Sequence, residues 1–127
     1  MEFLNRYTNV VHWLPRLSLA SIFIYHGMGK FPAAAMMAEG MGMPIFMIYL
    51  LGAMEVVAGV FIIVGAFGRE ILTRIAGLLI SVVMLGAILM VHLKNGWNGV
   101  SMEQGIELQL FVFAVAVYFL VRGNSSD

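Results

Sequence analysis

The sequence predicts an all-α fold, a four-helix transmembrane bundle made by one domain spanning residues 1–127. Three observations carry this. Hydrophobic residues make up 61% of the chain, against roughly 45–50% in soluble domains. Charged residues make up 11%, about half the usual share of roughly 25%. The apolar residues also fall into four runs, each at or near the ~20 residues needed to cross a hydrocarbon core as a helix.

The runs follow in order. The first thirteen residues are mixed and polar and lack the charged-then-apolar pattern of a cleavable signal. The first apolar run, 14–31, is therefore expected to stay and span. Residues 32–44, PAAAMMAEGMGMP, form a longer connection with room for a short surface helix. The second run, 45–67, begins just after Pro44, a residue suited to a helix start. GREILTR makes a tight turn into the third run, 71–93. KNGWNGVSMEQG is a loop with Asn-Gly turn signals at 95–96 and 98–99, and its Trp97 suits a membrane interface. The fourth run, 106–121, is rather short, with Glu103 and Gln104 in its first turn. The polar tail GNSSD is expected to fray.

Four spans put both termini on one side. That side carries Arg6, Arg16, Arg69, Arg74 and Arg122, and the other only Lys30 and Lys94. The asymmetry places both termini in the cytoplasm by the positive-inside rule. The expected location is a bacterial inner membrane, with the lipid bilayer as the first partner. Net charge is zero, with seven basic and seven acidic residues, which argues against nucleic acid. There is no cysteine, so disulfide exchange, zinc-thiolate sites and iron–sulfur clusters are excluded within this chain.

Ionisable residues inside such runs cost roughly 2.5–3.5 kcal/mol each on insertion scales and usually mark something. Glu55 stands near the middle of the second run. Gly52, Glu55 and Gly59 share one helix face, so another helix can come close over the carboxylate. Glu55 is a candidate proton relay; the bland alternative is a structural lock. His26 and Lys30 lie one turn apart at the end of the first run. Lys30 alone would be an ordinary snorkelling lysine, but His26 is a turn deeper. His92 lies near the same end of the third run, beside Lys94. Glu107 opens the fourth run and heads the stripe Glu107, Phe111, Ala114, Tyr118, Arg122. Arg16 lies at the opposite end, where a positive-inside anchor is the plainer role, although it could pair with a carboxylate inside the bundle.

If His26, Lys30, Glu55, His92 and Glu107 converge, they line a polar pocket open to the non-cytoplasmic side. Two imidazoles and two carboxylates can relay protons. They can also hydrogen-bond a quinone headgroup, whose reduction needs protons. The residue types match a di-iron bundle in kind, but no Glu-x-x-His motif is present. A haem held by His26 and His92 is conceivable, with nothing beyond the two histidines in its favour. Met28, Met36, Met37, Met41, Met43 and Met47 cluster within twenty residues. Thioethers bind Cu(I), but methionine as flexible apolar filler is the plainer reading. No metal ligands are assigned.

These motifs resemble the DoxX-type membrane proteins, related to the small membrane subunit of thiosulfate:quinone oxidoreductase. The resemblance runs from Arg16 to about Gly123. It rests on Arg16 before His26-Gly27-Met28-Gly29-Lys30, then Glu55 and Gly59, Gly65-Ala66-Phe67-Gly68-Arg69, His92, and Gly105-Ile106-Glu107. The chain departs from the family's frequent Gly-x-Gly and Ser-Leu-Asp ending. The resemblance implies a four-helix membrane protein associated with redox systems, often as a subunit beside other membrane proteins, or as a homo-oligomer. The expectation is a subunit of a quinone-linked redox system, with Glu55, His92 and Glu107 as catalytic groups and His26, Lys30 and Arg16 binding the cofactor. The alternatives are a structural or assembly subunit of a larger respiratory complex and a metal-binding membrane protein.

Overall fold

In the computed structural model, residues 1–92 and 106–125 are described, with backbone alone for Val91 and His92. Trp97, Lys94, both Asn-Gly turns, Glu103, Gln104, Gly105 and the side chain of His92 lie outside the described residues.

Every regular element among the described residues is helical. A 3-10 helix, Glu2–Tyr7, leads through one turn, α1 (Thr8–Val11), into α2 (Trp13–Lys30). Pro32 restricts the residue before it, and α2 stops at Lys30. The connection contains a surface helix, α3 (Ala34–Met41). It is closed by Gly42 at φ 66°, the left-handed cap that glycine adopts without a Cβ penalty. Met37 and Met43 pack with Ala34, Ala38 and Ile48 in a small apolar cluster, so two of the clustered methionines act as filler.

α4 (Ile45–Val64) starts directly after Pro44 and tightens into a 3-10 turn, Gly65–Phe67. The second apolar run is therefore not α-helical to its end. Gly68, at φ 91°, reverses the chain into α5 (Glu70–Ala87). Beyond Ala87 the winding widens to a π-helical turn, Ile88–His92, and α6 covers Glu107–Arg122. Two stretches have the length and hydropathy to cross a membrane, Ile45–Phe67 at mean hydropathy 2.4 and Glu70–Met90 at 2.2.

α2 packs on α4, α4 on α5, and α5 on α6. Leu19, Phe23, Ala58, Ile62, Ala76, Ile80, Val112, Ala116 and Phe119 form the shared core. The seams are built on small residues. A Cβ on Gly77 would lie 2.6 Å from the backbone nitrogen of Leu120, and one on Gly27 would lie 2.8 Å from the Gly52 carbonyl oxygen. Such close backbones matter most in lipid, where apolar side chains gain little by leaving their surroundings and van der Waals contact drives association. The outer surface stays apolar. Phe46, Leu50, Val57, Val60, Leu78, Val82, Leu85 and Phe111 are all exposed, an array a water-facing domain would hide.

Candidate functional site

Two polar centres occupy opposite ends of the helix packing. The first joins α2 to α4. Lys30 Nζ donates to Glu55 Oε2 at 2.8 Å, with side chains 16% and 5% exposed. The lysine therefore turns inward instead of reaching for the surface. Helix spacing and small residues explain the approach. Gly52, Glu55 and Gly59 are all buried on the same face of α4. A Cβ on Gly52 would lie 3.0 Å from the Gly27 carbonyl oxygen and 3.3 Å from Lys30 Cβ. Leaving either partner unpaired in this seam would strand a buried charge.

His26 stands one turn before Lys30. Leu19, Phe23, His26 and Lys30 form a column on α2 by their spacing. Leu19 and Phe23 are buried in the core, whereas His26 is exposed and stacks edge-on against Tyr25 at 5.6 Å between ring centroids. The column thus leaves packed apolar core at His26. The helix directions bring two further positions to this end. His92 closes the π-helical turn after α5, and such turns recur at functional sites. Glu107 opens α6, exposed and with no hydrogen bond or ion pair to the described residues. Contacts that would join Glu107 to Lys30, Glu55 or His26 are absent among the described residues. The same holds for any group of three or more His, Asp or Glu side chains able to hold a metal.

The second centre surrounds Arg16, which is 1% exposed. Its Nη1 donates to the Ile62 carbonyl at 2.6 Å and to Thr73 Oγ1 at 3.0 Å. Nη2 donates to Asn124 Oδ1 at 2.8 Å, and Nε to His12 Nδ1 at 3.1 Å. Thr73 Oγ1 donates to Asn124 Oδ1 at 2.7 Å, and Asn124 Nδ2 to the Gly65 carbonyl at 2.8 Å. The guanidinium also lies 4.8 Å over the Phe119 ring, a cation–π contact. Arg16 is thus buried rather than a surface anchor, and among the described residues it pairs with no carboxylate. It ties α2, the end of α4, the start of α5 and the segment after α6. Its position fourteen residues before Lys30 corresponds to about 21 Å along the helix, so the structure does not bring it to the Lys30 end.

Sequence reasoning missed Thr73, Asn124 and His12. Thr73 is one hydroxyl in a turn-proximal stretch, and no spacing rule singles it out. Asn124 belongs to the tail expected to fray; instead both ends of its amide are bonded. The signal available was Gly123, which sits at φ 61° and turns the chain back over the helix ends.

The DoxX family model matches residues 12–93. A Bacillus subtilis (strain 168) protein named "Putative oxidoreductase CatD" is 31% identical over 124 residues, covering 95% of this chain and 85% of the relative. No solved structure matches.

Proposed function

The chain belongs to the DoxX family, and from that premise we propose that it is a membrane subunit of a quinone-linked redox system in a bacterial inner membrane. In this reading all four long helices span the bilayer with both termini in the cytoplasm. The polar pocket lies at the non-cytoplasmic end, around Lys30, Glu55 and His26, with His92 and Glu107 at its rim. The relative's name supports the redox class. The observation that carries the site is the ion pair between half-buried Lys30 and buried Glu55 beside an exposed histidine that leaves the core column.

The donor set fits a molecule with two carbonyls. A bound quinone would accept electrons from a partner chain and protons from its surroundings. The residues here supply the rest. The Lys30 ammonium and a protonated His26 donate to carbonyl oxygens and fix the ring. Glu55, already hydrogen-bonded to Lys30, holds a proton acceptor at the inner wall. An imidazole can both take up and give up a proton, so the exposed His26 can return protons from the exposed side. Arg16, bonded on every side at the other end, sets the helix register that keeps the pocket in place.

Glu55→Gln tests this directly. The variant should extract and elute like the native protein but lose quinone binding, measured by titration of the purified protein in lipid nanodiscs. Native-level binding by the variant would remove Glu55 from the site. A second reading, an assembly subunit in which the pair only locks helices, is favoured by the close Gly27–Gly52 approach around it. Gentle extraction separates the two. Quinone retained with the isolated protein supports the site, and reproducible recovery inside a large respiratory assembly with no quinone on this chain supports the lock.

A further inference from the structure

We propose that the open groove along α2 receives the hydrocarbon tail of the bound quinone, so that the site selects long-tailed membrane quinones over tailless rings. The inference rests on the quinone reading of the Lys30, Glu55 and His26 site and names the substrate class within it.

The groove holds about 1000 Å³, and its two ends differ in chemistry. His26 and Lys30, the donors assigned to the headgroup, wall one end. Leu17, Ser21, Ile24 and Met28 line it along α2 and recur at helical spacing on one face. Ile63 of α4 lines it as well. Its neighbour Ile62 bonds Arg16, so Ile63 belongs to the far end. Leu17 stands thirteen residues before Lys30, about 20 Å along the helix. That is about two-thirds of a hydrocarbon core. In the proposed topology the groove runs from the donor end into the bilayer interior, the direction a quinone tail takes. Gly59 keeps it open. A Cβ there would lie 2.6 Å from Ile24 Cγ1, so Ile24 rests against α4 instead of standing in the channel.

Charge decides which amphiphile fits. The Lys30 ammonium is balanced by Glu55 at 2.8 Å. An opposite charge held that close cancels most of the field that a phosphate would need. The donor end therefore suits the neutral carbonyls of a quinone better than the headgroup of a phospholipid. The walls suit a branched chain. Met28 and Met37 line the groove, and thioether side chains adapt to irregular surfaces. Two of the clustered methionines thereby gain a role beside the donors. A tail entering the groove leaves lipid, not water. The gain comes from contact with packed walls and from holding the ring at its donors. An advantage of about tenfold over a tailless ring is expected, the equivalent of about 1.4 kcal/mol.

The test compares two probes on the full chain in lipid nanodiscs: a benzoquinone with a polyprenyl tail, and the same ring with a methyl group in place of the tail. Dissociation constants are expressed per mole of lipid, so that partitioning into the bilayer cancels. The tailed quinone should bind the native protein about tenfold more tightly. Ser21→Phe, a bulky ring at an exposed position in the groove wall, should erase that difference. Equal binding of both probes by the native protein would overturn the tail groove and leave the headgroup site standing. A tail preference that survives unchanged in Ser21→Phe would place the tail elsewhere and overturn the groove as well. Binding of neither probe would overturn the quinone reading itself, and the groove with it. Native mass spectrometry covers the remaining occupant. A phospholipid held by the native protein, lost from Ser21→Phe and not displaced by the tailed quinone would give the groove to lipid and overturn the proposal. The probe comparison uses the native chain, so it decides the matter even if Ser21→Phe fails to fold.

Discussion

The two ends of the helix packing treat a buried charge in opposite ways. At one end Arg16 is enclosed, and its three nitrogens bond to a backbone carbonyl, a hydroxyl, an amide and an imidazole. At the other end the ion-pair partner of Glu55 among the described residues is Lys30, and the neighbouring histidine is exposed. A charge with all its bonds satisfied by the chain has little left to offer a ligand. A charge balanced by one movable amine can exchange that partner for a substrate group. Under the proposed function the Arg16 end is architecture and the Lys30 end is where a ligand would bind, although insertion costs mark both as exceptional.

Removing the enclosed charge should produce the largest effect. Arg16→Met retains much of the volume but leaves the Ile62 carbonyl without its donor and frees Asn124 from the hub. Unsatisfied buried polar groups cost about 1–3 kcal/mol each, so the variant should lose about 3 kcal/mol or more. Arg16→Lys should rescue little, because one ammonium cannot reproduce the planar fork that reaches Thr73 and Asn124 together. Reversible unfolding in mixed micelles measures this. A native-like midpoint for Arg16→Met would break the comparison, since the hub would then be dispensable.

The next effect sharpens the comparison at the other end. Gly27→Ala puts a Cβ 2.8 Å from the Gly52 carbonyl oxygen and 2.8 Å from Val56 Cγ2. A backbone oxygen cannot swing away, so α2 and α4 must separate, at about 1–3 kcal/mol for an overpacked contact. That separation also pulls Lys30 from Glu55, so ligand binding should fall along with stability. Gly29→Ala is the control, because nothing lies within 4 Å of the added methyl; it should be silent or slightly stabilising. Equal behaviour of the two alanines in the unfolding assay would mean that the seam is looser than its distances imply.

These contrasts also explain what was readable beforehand. Apolar runs located the helices because their boundaries are set by prolines, glycines and charges: Pro44 opens α4, Pro32 follows α2, and Gly68 with Arg69 precedes α5. The Gly52, Glu55, Gly59 face was readable because helical spacing is local information. The identity of the helix that covers it was not, because neighbour order depends on side-chain fit across the whole packing. The Arg16 hub was hidden for the same reason. Its partners His12, Thr73 and Asn124 lie up to 108 residues away in sequence, and each is an ordinary polar residue until the helix ends meet. The widening of α5 beyond Ala87 into a π-helical turn likewise has no marker in an unbroken apolar run.

The smallest effect belongs to the most visible ion pair. Glu70 and Arg74 are four residues apart at the start of α5, joined at 2.5 Å with side chains 50% and 40% exposed. On geometry alone it rivals the Lys30–Glu55 pair. Solvent screening decides otherwise, because exposed pairs of this spacing contribute about 0.3–0.5 kcal/mol. Arg74 also keeps its bonds to the carbonyls of Leu120 and Val121, so losing Glu70 does not release it. Glu70→Gln should therefore shift the unfolding free energy by less than about 0.5 kcal/mol and leave ligand binding unchanged. It is the same chemical change as Glu55→Gln, one carboxylate to one amide. If Glu70→Gln abolished binding while Glu55→Gln did not, the site would lie at the Arg74 end and the assignment of the two ends would have to be reversed.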